Sequence, residues 1–122
     1  MQDVNSSENR KFYIEAFEKI MSEKSKPSQE INRTLFWAYE DSVENKNDCL
    51  NFDDTIWTKD IASIVESCRK NRINEFTISN TCSGLTTILE AFEEQGCKVC
   101  SLTRANKNYG HKTVPAVKLQ VL

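Results

Sequence analysis

The chain has 122 residues, 39% apolar and 28% charged, with five cysteines and a formal net charge of −2. This length suits one domain, residues 1–122, able to close a core without metal or disulfide staples, and an odd cysteine count without recurrent spacing argues against a secreted disulfide framework. No apolar run approaches the roughly 18 residues that span a bilayer and no charged-then-apolar leader precedes the chain, so the expectation is a cytoplasmic protein with reduced thiols and no membrane partner.

Met1 to Ser7 is polar and reads as a frayed end. A helix follows, because Phe12, Tyr13, Ala16, Phe17, Ile20 and Met21 recur on one side while Arg10, Lys11, Glu15, Glu18 and Lys19 lie around the rest. Pro27 breaks it, and Ser28 is placed to cap a second helix carrying Ile31, Leu35, Ala38, Tyr39 and Val43 on one stripe. The two form a helical hairpin over residues 1–47. Asn45 to Asp48 is a loop, and Leu50 to Trp57 is ambiguous, with part of it extended. Thr58 then stands as the N-cap of a third helix, whose stripe is Ile61, Ile64, Val65 and Cys68.

From Asn74 to Arg104 the chain reads as strand, helix, strand. Phe76 and Ile78 alternate with Thr77 and Ser79. A helix starting within Ser79 to Gly84 carries Leu85, Ile88, Leu89 and Phe92, and Gly96 ends it. Two strands joined through one helix are most economically parallel neighbours. Ala105 to Lys112 has loop composition, and Val114 to Leu122 returns as a strand, giving a long-looped hairpin. The fold expected is α+β: the N-terminal helical hairpin, then α, β, α, β, β over residues 48–122 around a small mixed sheet of about three strands. Phe76, Ile78, Val117, Leu119 and Val121 face the helices bearing Ile61 and Leu85. The opposite face, with Thr77, Ser79, Lys118 and Gln120, is either covered by the N-terminal helices or left as a binding surface.

Charge is segregated along the chain. Met1 to Trp57 holds twelve acids against seven bases, whereas Cys97 to Leu122 holds five bases and no acid. Arg104, Lys107, Tyr109, His111, Lys112 and Lys118 therefore combine positive charge with an aromatic ring, the composition of a surface for a protein partner or for nucleic acid, or of a segment that pairs with the protein's own acidic helices or those of a second copy.

No reaction signature stands beside this. Cys82 occupies a strand-to-helix loop, where a helix start lowers a thiol's pKa, but a nucleophile needs a base, and His111 is in a different loop. Cys97 and Cys100 spell C-x-x-C without a second pair, and residues three apart on a strand point to opposite faces. Asp53, Asp54 and Asp60 precede a helix, where carboxylates suit the dipole. Catalytic residues, cofactor and metal are accordingly none, and the leading expectation is a non-enzymatic protein-binding module, with nucleic-acid binding through residues 104–118 as the alternative.

At Glu75-Phe76-Thr77-Ile78-Ser79, Gly84-Leu85, Ala91-Phe92, Gly96-Cys97 and Val114-Pro115-Ala116-Val117, the second half of the chain resembles a group of short proteins carried on plasmids and phages of Gram-positive bacteria. The resemblance implies a mobile-element accessory protein, with inhibition of a host-defence complex, as anti-CRISPR proteins do, as one such role. It assigns no catalytic residue.

Overall fold

The computed structural model describes residues 4–22, 33–53, 56–79 and 84–122. The chain is mixed α/β, in the order α1 (Val4–Ser22), α2 (Arg33–Glu44), β1 (Leu50–Phe52), α3 (Ile61–Lys70), β2 (Glu75–Ile78), α4 (Leu85–Glu94), β3 (Cys97–Lys107) and β4 (Lys112–Val121). The first helix begins at Val4, inside the stretch expected to fray. Pro27, Ser28 and Ile31, on which the expected helical hairpin turns, lie outside the described residues. What the structure gives is contact: Phe17 packs on Phe36 and Tyr39 with ring centroids 5.8 and 6.4 Å apart.

The sheet has four strands, in the order β1-β2-β4-β3. The extra strand is β1, which runs parallel to β2 with Leu50, Asn51 and Phe52 beside Phe76, Thr77 and Ile78. All three of its residues are buried, Leu50 and Phe52 on the face of Phe76 and Ile78 and Asn51 on the face of Thr77. β2 and β3 are parallel but not neighbours, because β4 inserts between them and pairs antiparallel with both. An antiparallel hairpin closes locally, and β4 brings Leu119 and Val117 beside Phe76 and Ile78, which keeps the apolar face continuous.

That face is the core. Phe76 stands between Phe52 and Phe92 with centroids at 5.4 and 5.1 Å, and Ile61, Ile64, Val65 and Cys68 of α3 and Ile88 of α4 close over it. Tyr13, Ala16, Leu35 and Tyr39 bring α1 and α2 into the same cluster. The expected stripes of α3 and α4 are therefore the buried ones. Thr58 is not a side-chain cap: Thr58–Asp60 form a 3-10 turn, and Asp60 occupies the N-cap of α3 without a capping side-chain bond.

The second face carries a directed hydrogen-bond chain. Thr77 Oγ1 donates to Asn51 Oδ1 at 2.6 Å, Asn51 Nδ2 donates to Ser79 Oγ at 2.9 Å, and Ser79 Oγ donates to Asp53 Oδ1 at 2.7 Å. Lys107 Nζ ends it, 3.2 Å from Asp53 Oδ2. Thr77, Asn51 and Ser79 are buried, and so are Ala105 and Ala116 of the hairpin. At Thr77 and Ser79 this face is closed over where the far end of the β3–β4 hairpin meets Asn47 and Asp53, the residues flanking β1, whereas Gln120 stays exposed.

The outer edges of the sheet are each met by one side chain. Ser42 Oγ, on α2, accepts from Asn51 N at 2.8 Å and lies 3.3 Å from Asn51 O, so both outward groups of β1's central residue are paired. Asn47 does the same for β3, its Oδ1 accepting from Asn106 N at 2.7 Å and its Nδ2 donating to Asn106 O at 3.1 Å. Exposed strand edges invite pairing with other chains, and these contacts shorten both.

Candidate functional site

The hairpin turn is tighter than its composition suggests. β3 runs to Lys107 and β4 starts at Lys112, leaving four connecting residues instead of a long loop. Asn108, Tyr109 and Gly110 take φ of 56°, 59° and 90°, and the turn is closed by Gly110 N to Lys107 O at 3.2 Å and His111 N to Asn108 O at 3.0 Å. Glycine and asparagine enter the left-handed region readily. An aromatic residue there is strained, at a cost on the order of 1–2 kcal/mol, and needs support from its surroundings.

That support comes from the α2–β1 loop. Tyr109 N donates to Asn45 Oδ1 at 2.9 Å, and Asn106 Nδ2 donates to Lys46 O at 2.9 Å. Asn47, which grips Asn106, is itself held: its carbonyl accepts from Arg10 Nη1 at 2.7 Å and from the buried Tyr13 hydroxyl. A line of hydrogen bonds thus runs from α1 through Asn47 to the hairpin tip. The Tyr109 ring, freed from the backbone's business, is 59% exposed.

The six basic-hairpin residues do not form one patch. Lys107 is paired with Asp53, and Lys118 lies 3.8 Å from Glu75. Arg104 folds along its own hairpin, donating from Nε to Thr113 Oγ1 and from Nη2 to Thr113 O, both at 3.0 Å. Tyr109, His111 and Lys112 are exposed together at the tip, joined there by exposed Lys46. Lys46 is the residue that sequence reasoning missed. Its left-handed φ of 61° and the packing of its side chain against Gly110 bring it to a tip some sixty positions away. Behind the tip, Asn47, Asp48, Cys49, Thr77, Thr103 and Lys118 line a polar cleft of about 140 Å³.

The chemical candidates resolve differently. Cys82 and Asp54 lie outside the described residues. Cys97 is buried and Cys100 exposed, as strand alternation predicts. Burial pushes the Cys68 thiol up to about 12 and that of Cys97 above its usual range, with the two thiols' proximity adding to the first and Arg69 opposing both. Both are protonated packing groups at neutral pH. Asp53 terminates the polar chain, and Asp60 sits at the start of α3 beside Lys59 at 3.8 Å. Among the described residues no three His, Cys, Asp or Glu side chains are placed to hold a metal ion, and no helix is long and apolar enough to cross a membrane.

One family model matches residues 34–121, which is most of the chain. The chain belongs to the family described as domain of unknown function DUF7698. The matched segment of this DUF7698 protein takes in α2, the whole sheet, Asn47 and the hairpin tip, and leaves α1 outside. Arg10 and Tyr13, which hold Asn47, are therefore contributions from beyond the family segment. Neither curated proteins nor solved structures give a match to the chain.

Proposed function

We propose that this DUF7698 protein is a small non-enzymatic binding module that presents its braced hairpin tip to a protein partner and occludes part of the partner's surface. The observation that carries the reading is Tyr109, an exposed aromatic ring held in a strained backbone conformation by a side chain from another loop. Strain of this kind persists where surroundings impose it and gathers at recognition sites. A tyrosine with two torsions loses little entropy on binding, which makes a rigid tip a good anchor. Lys46, His111 and Lys112 around it favour an acidic partner surface. The resemblance to short plasmid and phage proteins fits this reading, since occlusion by a rigid surface is one way to inhibit a host-defence complex.

Affinity capture tests it, comparing the wild type with a variant carrying Tyr109→Gly, Lys46→Glu and Lys112→Glu. A stoichiometric protein retained by the wild type and lost with the folded variant is the expected result. Equal capture by both, or no stoichiometric protein on the wild type, overturns the reading.

Nucleic-acid binding is the second reading, favoured by the ring beside free-standing cations at the tip. Against it, Lys107 and Lys118 are already engaged with Asp53 and Glu75. Titration of single-stranded and duplex oligonucleotides at increasing salt decides it. Binding whose salt dependence falls in the Lys46→Glu, Lys112→Glu variant supports it, and affinity unchanged by that variant excludes it.

A further inference from the structure

Beside the tip, β3 offers a different kind of surface. It is eleven residues long and, among the described residues, pairs with β4 alone, so its other edge is the far margin of the sheet, regular from Ser101 onward because a bulge interrupts the ladder at Cys100. Asn106 directs its N–H and C=O outward to the Asn47 amide. In an antiparallel pair outward and inward residues alternate, so Arg104 and Leu102 direct their backbone groups the same way. The partner residue of Arg104 is Pro115, which has no N–H to give β3, consistent with that alternation. Two bonds to one residue are what a neighbouring strand supplies, so Asn47 stands in for a single residue of a fifth strand and stops there. Lys98, Cys100, Ser101, Leu102 and Arg104 are all exposed, and Leu102 is 84% so.

We infer that the free edge of β3 between Ser101 and Arg104 is a strand-addition site for an extended acidic segment of the protein partner. This rests on the protein-partner reading above and names the conformation and charge of what is bound. Main-chain hydrogen bonds to Leu102 and Arg104 supply affinity, as in other strand-addition complexes. Charge selects the occupant. Lys98 and Arg104 are exposed on this strand and the segment from Cys97 onward contains no acid, so an added strand rich in Asp or Glu meets cations and no carboxylate from β3 itself. A second copy of β3 brings the same two cations and no acid, the arrangement that lysine-bearing edges use to refuse their own kind. Leu102, uncovered by the helices, asks for one apolar residue among the acidic ones.

The test uses the full wild-type chain with a capped seven-residue peptide alternating Glu and Val around a central Leu, followed by amide chemical shifts. The expected result is saturable perturbation centred on Leu102 and Arg104, weakened about tenfold when alternate peptide amides are N-methylated. The same peptide with Lys in place of Glu is expected not to bind. No perturbation of those amides at millimolar peptide, or indifference to N-methylation, overturns the inference, and binding of the Lys peptide overturns its charge selectivity. Concentration-dependent self-association perturbing the same amides makes the occupant a second copy and overturns it too. In the affinity capture, Leu102→Pro removes an edge donor on a strand that tolerates proline. A partner captured by that folded variant but lost with the tip variant sinks the edge site alone, whereas no partner for any form sinks the binding role itself.

Discussion

Tyr39 and Tyr109 represent opposite uses of the same side chain. Tyr39 is fully buried in the core, its hydroxyl makes no well-formed hydrogen bond among the described residues and has only a weak interaction with Ser67, and burial raises its pKa above the usual value near 10. An unpaired buried hydroxyl costs about 1–3 kcal/mol, so Tyr39→Phe is expected to leave stability unchanged or raise it by about 1 kcal/mol in urea unfolding. Tyr109→Gly relieves the left-handed strain of an exposed residue and is expected to stabilise by about 1 kcal/mol while weakening partner capture. A loss of stability with Tyr109→Gly would mean that the ring is packed in the fold and not offered from it. Cys68 sets the alkaline limit. Its folded thiol stays protonated to about 12, whereas an unfolded thiol ionises near 8.5. The unfolded state therefore binds fewer protons between those values, and stability is present below the unfolded pKa and falls as pH rises, by about 1.4 kcal/mol per pH unit for this group. The raised Tyr13 and Tyr39 add to the loss above their own unfolded pKa values. Cys68→Ala should flatten the first part of that decline, read from urea midpoints between pH 8 and roughly 10.

At the scale of the elements, the Asn47 bracket and the Asn51 chain are what turn a hairpin into a cover. Asn51 is buried and its amide joins Thr77 to Ser79. Asn51→Ala leaves both hydroxyls short of a partner and is expected to cost about 2–4 kcal/mol. Asn47→Ala frees Asn106 and loosens the tip, and should lower capture by more than its effect on the melting temperature explains. Faster amide exchange confined to residues 104–110 is the accompanying signature. The stripes of α3 and α4 and the Phe76 strand were legible in the sequence because each repeats at its own period with polar residues between. β1 showed only as an ambiguous, partly extended stretch from Leu50 to Trp57, since the apolar-polar-apolar run Leu50 to Phe52 is three residues long. Ala105 to Lys107 read as loop for a related reason: their polar composition hides the pairing with Lys112 to Val114 that keeps them extended, and Asn47, 59 positions before Asn106, secures the outer edge. The six basic residues were visible as charge, but their division into paired Lys107 and Lys118 and exposed Tyr109, His111 and Lys112 depends on acids elsewhere in the fold.

For the whole molecule, a single cluster of buried side chains runs from Tyr13 of α1 to Leu119 of β4. With no second core among the described residues to melt separately, near-ultraviolet and far-ultraviolet dichroism should report coincident transitions. An early far-ultraviolet phase would show that α1 releases first and that the brace on Asn47 is conditional. The placement of Ser42 and Asn47 carries one more consequence. Within six residues of chain, the end of α2 and the loop after it satisfy one margin of the sheet at Asn51 and the other at Asn106. A disturbance that lifts this short stretch unmasks two complementary margins on the same molecule at once. Two unlike sticky ends on one body are the condition for open-ended, head-to-tail growth in place of a closed dimer. The Ser42→Ala, Asn47→Ala double variant is therefore expected to polymerise, with light scattering that rises with protein concentration, and the six-residue stretch is as much a guard against filaments as a brace for the tip.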